Sequence, residues 1–208
     1  GHPYPLSQGI PDQEFTLKPT PLMRRVTPQA PPARWALASL SLAMPLSSLG
    51  TSIANVGLPT LARAFNAPFQ QVQWVVLAYL LATTTLVVSA GRLGDMVGRR
   101  RLLLAGIALF TLASVLCGMA PTLGLLIAAR ALQGLGAAVM MALTMALVAQ
   151  AVPQDKTGSA MGLLGTVSAI GTALGPSLGG LLIAGVGWQA LFFINLPLGV
   201  LAFFLAYH

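Results

Sequence analysis

Six long apolar runs, separated by short polar breaks, constrain this chain more than any other feature. They lie at residues 35–59, 72–93, 102–119, 122–149, 160–184 and 190–207. About 20 helical residues cross the ~30 Å hydrocarbon layer of a bilayer. The runs are too long for barrel strands and lack their polar–apolar alternation. We therefore predict an all-α membrane protein in which six transmembrane helices form one bundle over residues 35–208.

The charge content supports this reading. Only 7% of the residues are charged, whereas soluble domains contain about 25%, so most of the exterior must face lipid. The net charge of +7 does not predict nucleic-acid binding, because the basic residues are confined mainly to the tail and the breaks. No metal-ligand spacing, phosphate-binding loop or nucleophile–base pair occurs, so we expect no metal, no cofactor and no enzyme activity.

Residues 1–34 differ from the rest in composition. They contain eight prolines, and such a segment buries too little surface to become ordered. We expect a disordered cytoplasmic tail, within which Met23 is a candidate natural start. Basic residues set the orientation: with the amino terminus inside, nine of the eleven are cytoplasmic, leaving Arg63 outside and Arg130 within a span. The positive-inside rule thus favours a cytoplasmic amino terminus in the inner (cytoplasmic) membrane.

The first span carries a polar stripe. On an ideal helix its members fall within an arc of about 80°; they are Ser41, Ser48, Thr51, Ser52 and Asn55. Such a stripe faces other helices or a water-filled cavity rather than lipid. Hydrogen bonding between helices and the wall of a substrate cavity both remain open as its role.

Arg130 is the ionisable residue that lies well inside a span. It shares a helix face with Gln133, Gly134, Ala137 and Met141. A charge at mid-membrane costs roughly 2.5–3.5 kcal/mol, so we predict a role for Arg130 and Gln133 in a proton or substrate pathway. A structural ion pair is the alternative. No acidic residue lies in the spans, and the partner must be a carbonyl dipole, water, substrate or a residue outside this chain.

Two glycine-containing motifs complete the candidate sites. The fifth span contains Gly162, Gly171, Gly175, Pro176, Gly179 and Gly180. One face of that helix is almost bare backbone, which permits close helix contact, and the proline bends it. The break after the second span contains Gly91, Asp95, Gly98, Arg99 and Arg100. Topology explains its arginines but not its lone acid.

At these residues the chain resembles the major facilitator superfamily, in its drug:proton antiporter branch with fourteen spans. The segment from Gly91 to Arg101 resembles the signature between spans two and three. Leu126, Arg130, Gln133 and Gly134 resemble the fourth-span motif, and the fifth-span glycines resemble the antiporter motif. Residues 74–81 and 192–199 resemble the fourteen-span branch in particular. The resemblance covers residues 35–208.

The resemblance implies export of an amphipathic compound, such as a drug, driven by inward proton flow through alternating access. Asp95 and Arg99 would form a cytoplasmic gate, Arg130 would join proton coupling, and the fifth-span glycines would form a hinge against a partner bundle. The implied partners are the bilayer, protons, a small substrate and a second six-helix bundle.

There are two departures from the family pattern. Gly50 stands where this branch usually carries an acid, so the position of the proton-coupling carboxylate stays open. The chain also supplies one six-span bundle, whereas the family pairs two around a midplane site. Uptake of a small solute, or partner binding without transport, are the alternative functions. Neither the substrate nor the oligomeric state follows from the sequence.

Overall fold

The structure, a computed structural model, describes residues 33–208, with side chains from Ala38 onward. The predicted disorder of the tail falls on residues outside this range, apart from the two that begin the first helix. In the described range every regular element is helical, and the predicted all-α membrane fold is confirmed. The α-helices are α1 (Ala33–Ala64), α2 (Phe69–Val72), α3 (Trp74–Val97), α4 (Arg99–Met119), α5 (Leu123–Ala151), α6 (Thr157–Gly185), α7 (Ala190–Phe193) and α8 (Asn195–Tyr207).

Five segments of the described chain are long and apolar enough to cross a membrane, whereas the sequence predicts six. They are Phe69–Val97, Arg99–Met119, Leu123–Ala151, Gln154–Gly185 and Ala190–Tyr207. The first predicted span corresponds to α1, which is long enough at 32 residues. Its stripe of serine, threonine and asparagine lines a cavity.

The helix ends follow local chemistry. Helix α1 continues through Pro45 and Pro59 to Ala64. The second span begins in α2, a short helix that breaks at Gln73 before α3. Thr122 caps α5 by accepting a hydrogen bond at Oγ1 from the Leu125 amide at 3.3 Å. Between α3 and α4 the chain turns at Gly98, whose φ of 102° favours glycine.

Helix α5 is the centre of the bundle. It packs against α3 and α4, while α1 packs along α6. The approach is close because the contact positions are small: a methyl group on Gly134 would lie 2.5 Å from the Tyr79 carbonyl oxygen, and one on Gly136 would lie 2.7 Å from the Phe110 amide nitrogen. Half of the α5 span is buried, against 22% for α3 and 17% for α6. The bundle thus leaves α3 and α6 largely uncovered.

Candidate functional site

A cavity of about 460 Å³ lies between α1, α3, α5 and α6, close to the middle of the bundle. It is lined by Met44, Ser47, Ser48, Thr51, Ser52, Asn55, Tyr79, Leu80, Thr83, Thr84, Met141, Ser168 and Thr172. Asn55, Thr84, Met141 and Thr172 are exposed at the surface of the chain. The cavity therefore opens on the side where α3 and α6 are least covered.

The predicted polar stripe of α1 forms one wall of this cavity. Ser48, Thr51, Ser52 and Asn55 line it, whereas Ser41 does not. The same side chains also join helices: the Ser48 hydroxyl is hydrogen-bonded to that of Ser168, and Ser52 donates to the Thr172 carbonyl at 2.8 Å. The same residues thus bond helices to each other and line a cavity, and binding of a substrate in that cavity stays a prediction.

The opposite wall comes from α3 and was not predicted. Tyr79 donates a hydrogen bond to the Ser47 carbonyl at 3.1 Å, which ties α3 to α1. Thr83 and Thr84 continue the wall one turn further along the helix. Three consecutive threonines, residues 83–85, in the middle of an apolar span were the sequence signal that could have identified it.

Arg130 lies in a separate, fully buried polar cluster. Its Nε donates to the Val75 carbonyl at 2.9 Å, and its Nη1 donates to the side-chain oxygen of Gln133. Gln133 in turn donates to Ser114 Oγ at 2.7 Å. Within the described residues the third guanidinium nitrogen, Nη2, has no hydrogen-bond partner. Within the described residues two carbonyl dipoles thus stabilise the charge, and a carbonyl dipole is one of the partners that the sequence left open.

Tyr79 stands between Arg130 and the cavity. The guanidinium carbon lies 4.3 Å from the centre of the Tyr79 ring, within the range of a cation–π contact. The sequence places Arg130 and Gln133 on the pathway itself, but neither side chain lines the cavity. This face of α5 turns toward α3 and α4, and Met141 is the cavity residue that α5 supplies.

Gly50 lies beside the same tyrosine. A methyl group on Gly50 would be 3.3 Å from the Phe110 ring and 3.9 Å from the Tyr79 hydroxyl oxygen. The position at which the antiporter branch usually carries an acid is therefore next to the side chain that covers Arg130. In this chain that position holds no titratable group.

The fifth-span glycines pack within the chain. Methyl groups on Gly171 and Gly179 would lie 3.2 Å and 3.0 Å from Pro45 and Ile53 of α1, and Gly175 faces Ser52. The shared face of these three glycines therefore turns toward α1 in the described chain, and the hinge against a partner bundle that the resemblance implied stays a prediction. Gly162 and Gly180 lie outside this face, with open space where a side chain would be. Pro176 lies inside α6, which continues through it.

The predicted gate residues meet where α3 turns into α4. Asp95 is in the last turn of α3, and its carboxylate receives hydrogen bonds from Arg99 at 2.7 Å and 3.0 Å. Arg99 also donates to the Ala146 carbonyl of α5 at 3.3 Å. The turn needs one glycine, Gly98, whereas Gly91 lies inside α3 with no neighbour within 4 Å.

Arg100 contacts the carboxyl end of α8. Its Nε donates to the Ala206 carbonyl of α8 at 3.1 Å, and its Nη2 donates to the Tyr207 carbonyl. A cation at the carboxyl end of a helix is stabilised by the helix dipole. The two adjacent arginines therefore connect the α3–α4 turn to α5 and to α8. Among residues 33–208 no three His, Cys, Asp or Glu side chains group as metal ligands would.

Membrane-length helices around a cavity lined by hydroxyl and apolar side chains define a multi-pass membrane protein that can hold a small molecule. The family model of the Major Facilitator Superfamily matches residues 40–208. The chain belongs to the major facilitator superfamily, and the predicted resemblance to its drug:proton antiporter branch is confirmed.

Curated relatives cover most of the chain. It is 42% identical to the multidrug resistance protein Stp of Mycobacterium tuberculosis, over 81% of this chain and 32% of that protein. It is 41% identical to the riboflavin transporter RibZ of Clostridioides difficile, over 77% of this chain and 35% of that protein. It is 39% identical to the MFS-type transporter Rv1250 of Mycobacterium tuberculosis, over 84% of this chain and 30% of that protein. The chain thus spans about a third of the length of these relatives.

Proposed function

We propose that this chain is the amino-terminal half of a transporter that exports small amphipathic molecules in exchange for protons. The observation that carries the proposal is the cavity between α1, α3, α5 and α6, which combines hydroxyl groups with the apolar side chains of Met44, Leu80 and Met141. Amphipathic ligands fit sites of this kind, in which apolar walls hold a few polar groups.

A second six-helix bundle would complete the site. Transporters with two repeats bind substrate at the interface between the repeats. Here the cavity opens beside the least covered helices, α3 and α6, as a half-site would. Rocking of the two bundles around the cavity would expose it to each side of the membrane in turn. The α3–α4 turn, held by Asp95 and Arg99, would act as the cytoplasmic gate.

The orientation follows from the breaks between helices. Successive spans alternate in direction, so the breaks at Gly98 and at Gln154–Lys156 lie on one side of the membrane. That side carries Arg99, Arg100, Arg101 and Lys156, whereas Arg63 lies at the opposite end of α1. By the positive-inside rule the first side is cytoplasmic. The protein would therefore lie in the cytoplasmic membrane with its amino terminus inside.

Proton coupling would use Arg130 indirectly. The two carboxylates in the described spans, Asp95 and Asp155, lie at the ends of those spans and not in their middle. The titrating carboxylate would then come from the second bundle. Arg130 would act through Tyr79, whose ring covers the guanidinium and whose hydroxyl reaches the cavity.

Cell accumulation tests the proposal. The full-length gene product would be produced in bacteria that lack their own efflux pumps, and accumulation of tritiated chloramphenicol, a neutral amphipathic drug, would be measured with and without a protonophore. Export predicts low accumulation that rises when the protonophore is added. Thr84→Trp fills the cavity and should abolish export, whereas Thr85→Trp, on an exposed position outside it, should not.

The other outcomes separate the alternatives. Uptake, the direction that the name of RibZ leaves open, would raise accumulation above that of cells without the gene. A protein that only binds its ligand would leave the steady-state level of free drug unchanged and insensitive to the protonophore. Equal export by the Thr84→Trp and wild-type proteins would remove the cavity from the pathway.

A further inference from the structure

Every hydroxyl group in the cavity wall already donates its proton to the protein. Nine hydroxyls line the cavity, from eight serines and threonines and from Tyr79. Thr51 donates to the Ser47 carbonyl at 3.2 Å, Thr84 to the Leu80 carbonyl at 2.8 Å and Thr172 to the Ser168 carbonyl at 3.1 Å. The other hydroxyls donate in the same way to backbone carbonyls, except that of Ser168, which donates to the Ser48 hydroxyl while Ser48 donates to the Met44 carbonyl.

This pattern determines what the wall offers to a ligand. A hydroxyl has one proton to donate and two lone pairs that accept. Since each proton is already used, the free capacity of these nine groups is as acceptors. Asn55 adds an acceptor oxygen and one remaining N–H, because its other N–H bonds the Thr51 carbonyl at 3.2 Å. A ligand that binds without breaking these bonds must therefore supply the donors.

The charged groups around the cavity restrict the class of ligand further. Among the described residues no acidic side chain lines it, so this half-site holds no counter-charge for a cationic ligand. Arg130, behind the Tyr79 ring at 4.3 Å, adds a positive charge that repels a cation. An anion would also bind weakly, because it would face acceptor oxygens. The Arg130 guanidinium could not bind it, since the Tyr79 ring covers that group. A neutral molecule avoids both costs.

We infer that this half of the binding site selects neutral amphipathic molecules that carry several hydroxyl or N–H donors next to an apolar ring. The inference rests on the proposed transport function and names its substrate class. The donors would meet the acceptor wall of α1, α3 and α6. The apolar ring would lie against Met44, Leu80 and Met141.

Equilibrium binding to the purified full-length gene product tests this class. Four tritiated probes each contain one phenyl ring: phenyl glucoside, its fully O-methylated derivative, phenyltrimethylammonium and benzoate. The glucoside should bind, and O-methylation, which removes the donors and keeps the acceptors, should weaken binding at least about tenfold because several hydrogen bonds are lost. The cation and the anion should bind more weakly than the glucoside.

A matched pair of threonines on α6 tests the wall itself. Thr172→Val removes one acceptor from the cavity and should weaken glucoside binding about two- to tenfold. Thr166→Val removes a hydroxyl that makes the same kind of bond, to the Gly162 carbonyl at 2.8 Å, but lies outside the cavity, and it should leave binding unchanged. Melting temperatures of both variants in detergent verify that each remains folded.

Several results would overturn the inference. These are equal binding of the methylated and unmethylated glucosides, tighter binding of the cation or the anion, equal effects of the two threonine variants, or no binding of the glucoside. Failure of the proposed function would look different: the probe preference would persist in binding, while energised vesicles would move none of the probes. Proton-driven export of chloramphenicol with a reversed probe preference would instead leave the function intact and refute the substrate class.

Discussion

Replacement of Arg130 perturbs the buried cluster at its centre. Arg130 makes two hydrogen bonds from a charged group, to the Val75 carbonyl and to Gln133, and one cation–π contact with Tyr79. Such hydrogen bonds contribute about 1.5–3 kcal/mol each, and a desolvated cation over a ring contributes about 2 kcal/mol. Placing the charge in the membrane costs about 2.5–3.5 kcal/mol. The net contribution to stability is therefore about 2–5 kcal/mol.

Two variants separate the charge from its geometry. Arg130→Met removes all three contacts and should lower the free energy of unfolding by about 2–5 kcal/mol. Arg130→Lys keeps the charge but loses the planar fork, so one acceptor is left unpaired and the loss is about 1.5–3 kcal/mol. Export should fall in both variants, because Tyr79 is no longer held against the guanidinium.

Thermal and denaturant unfolding in detergent measure the stability of each variant, with drug export measured alongside. Arg101→Met is the control, since Arg101 is exposed in the first turn of α4, and its effect should stay within about 0.5 kcal/mol. A Met variant at least as stable as the wild type would refute the assigned network. A Lys variant that exports at the wild-type rate would remove Arg130 from the coupling mechanism.

Three further predictions concern the gate, the α1–α6 contact and the tail. Asp95→Asn should abolish export while changing the free energy of unfolding by at most about 1 kcal/mol, because the ion pair is exposed. Asp155→Asn is the control, and drug resistance of the Asp95→Asn variant at the wild-type level, at equal expression, would contradict the gate role. Gly175→Ala should lower the melting temperature by forcing Ser52 away, whereas Gly180→Ala, with open space around it, should not. Equal melting temperatures of the two variants would show that the contact between Gly175 and Ser52 is not close. Removal of residues 1–32 should leave the bundle folded in detergent, as measured by size-exclusion chromatography and circular dichroism, and aggregation would contradict a dispensable tail.

The helical architecture could be predicted because a bilayer accepts few solutions. Every backbone polar group must be satisfied inside the span, so a long apolar run such as residues 102–119 becomes a helix. The exact ends depended on local effects that hydropathy does not register. Helix α1 continued past Pro59 to Ala64, and the second span began in α2 at Phe69 rather than at residue 72.

The candidate site could be predicted only in part. Helical periodicity grouped Ser48, Thr51, Ser52 and Asn55 on one face, because residues on one helix have fixed relative directions. Which helix that face meets depends on packing between distant segments, and neither Tyr79 nor Thr172 could be assigned to the same cavity from spacing. For the same reason the sequence could not reveal that Arg130 lies behind Tyr79, or that Gly175 faces Ser52.

The central claim is that a proton gradient drives a small amphipathic molecule through a cavity of which this chain forms one side. The most direct test uses proteoliposomes that contain the full-length gene product and a trapped pH-sensitive dye, with an imposed pH gradient and tritiated chloramphenicol outside. The proposal predicts drug accumulation on the acidic side, together with drug-dependent proton movement in the opposite direction, and Thr84→Trp should abolish both. Drug movement that is unaffected by collapse of the pH gradient, or proton movement that does not depend on the drug, would contradict it.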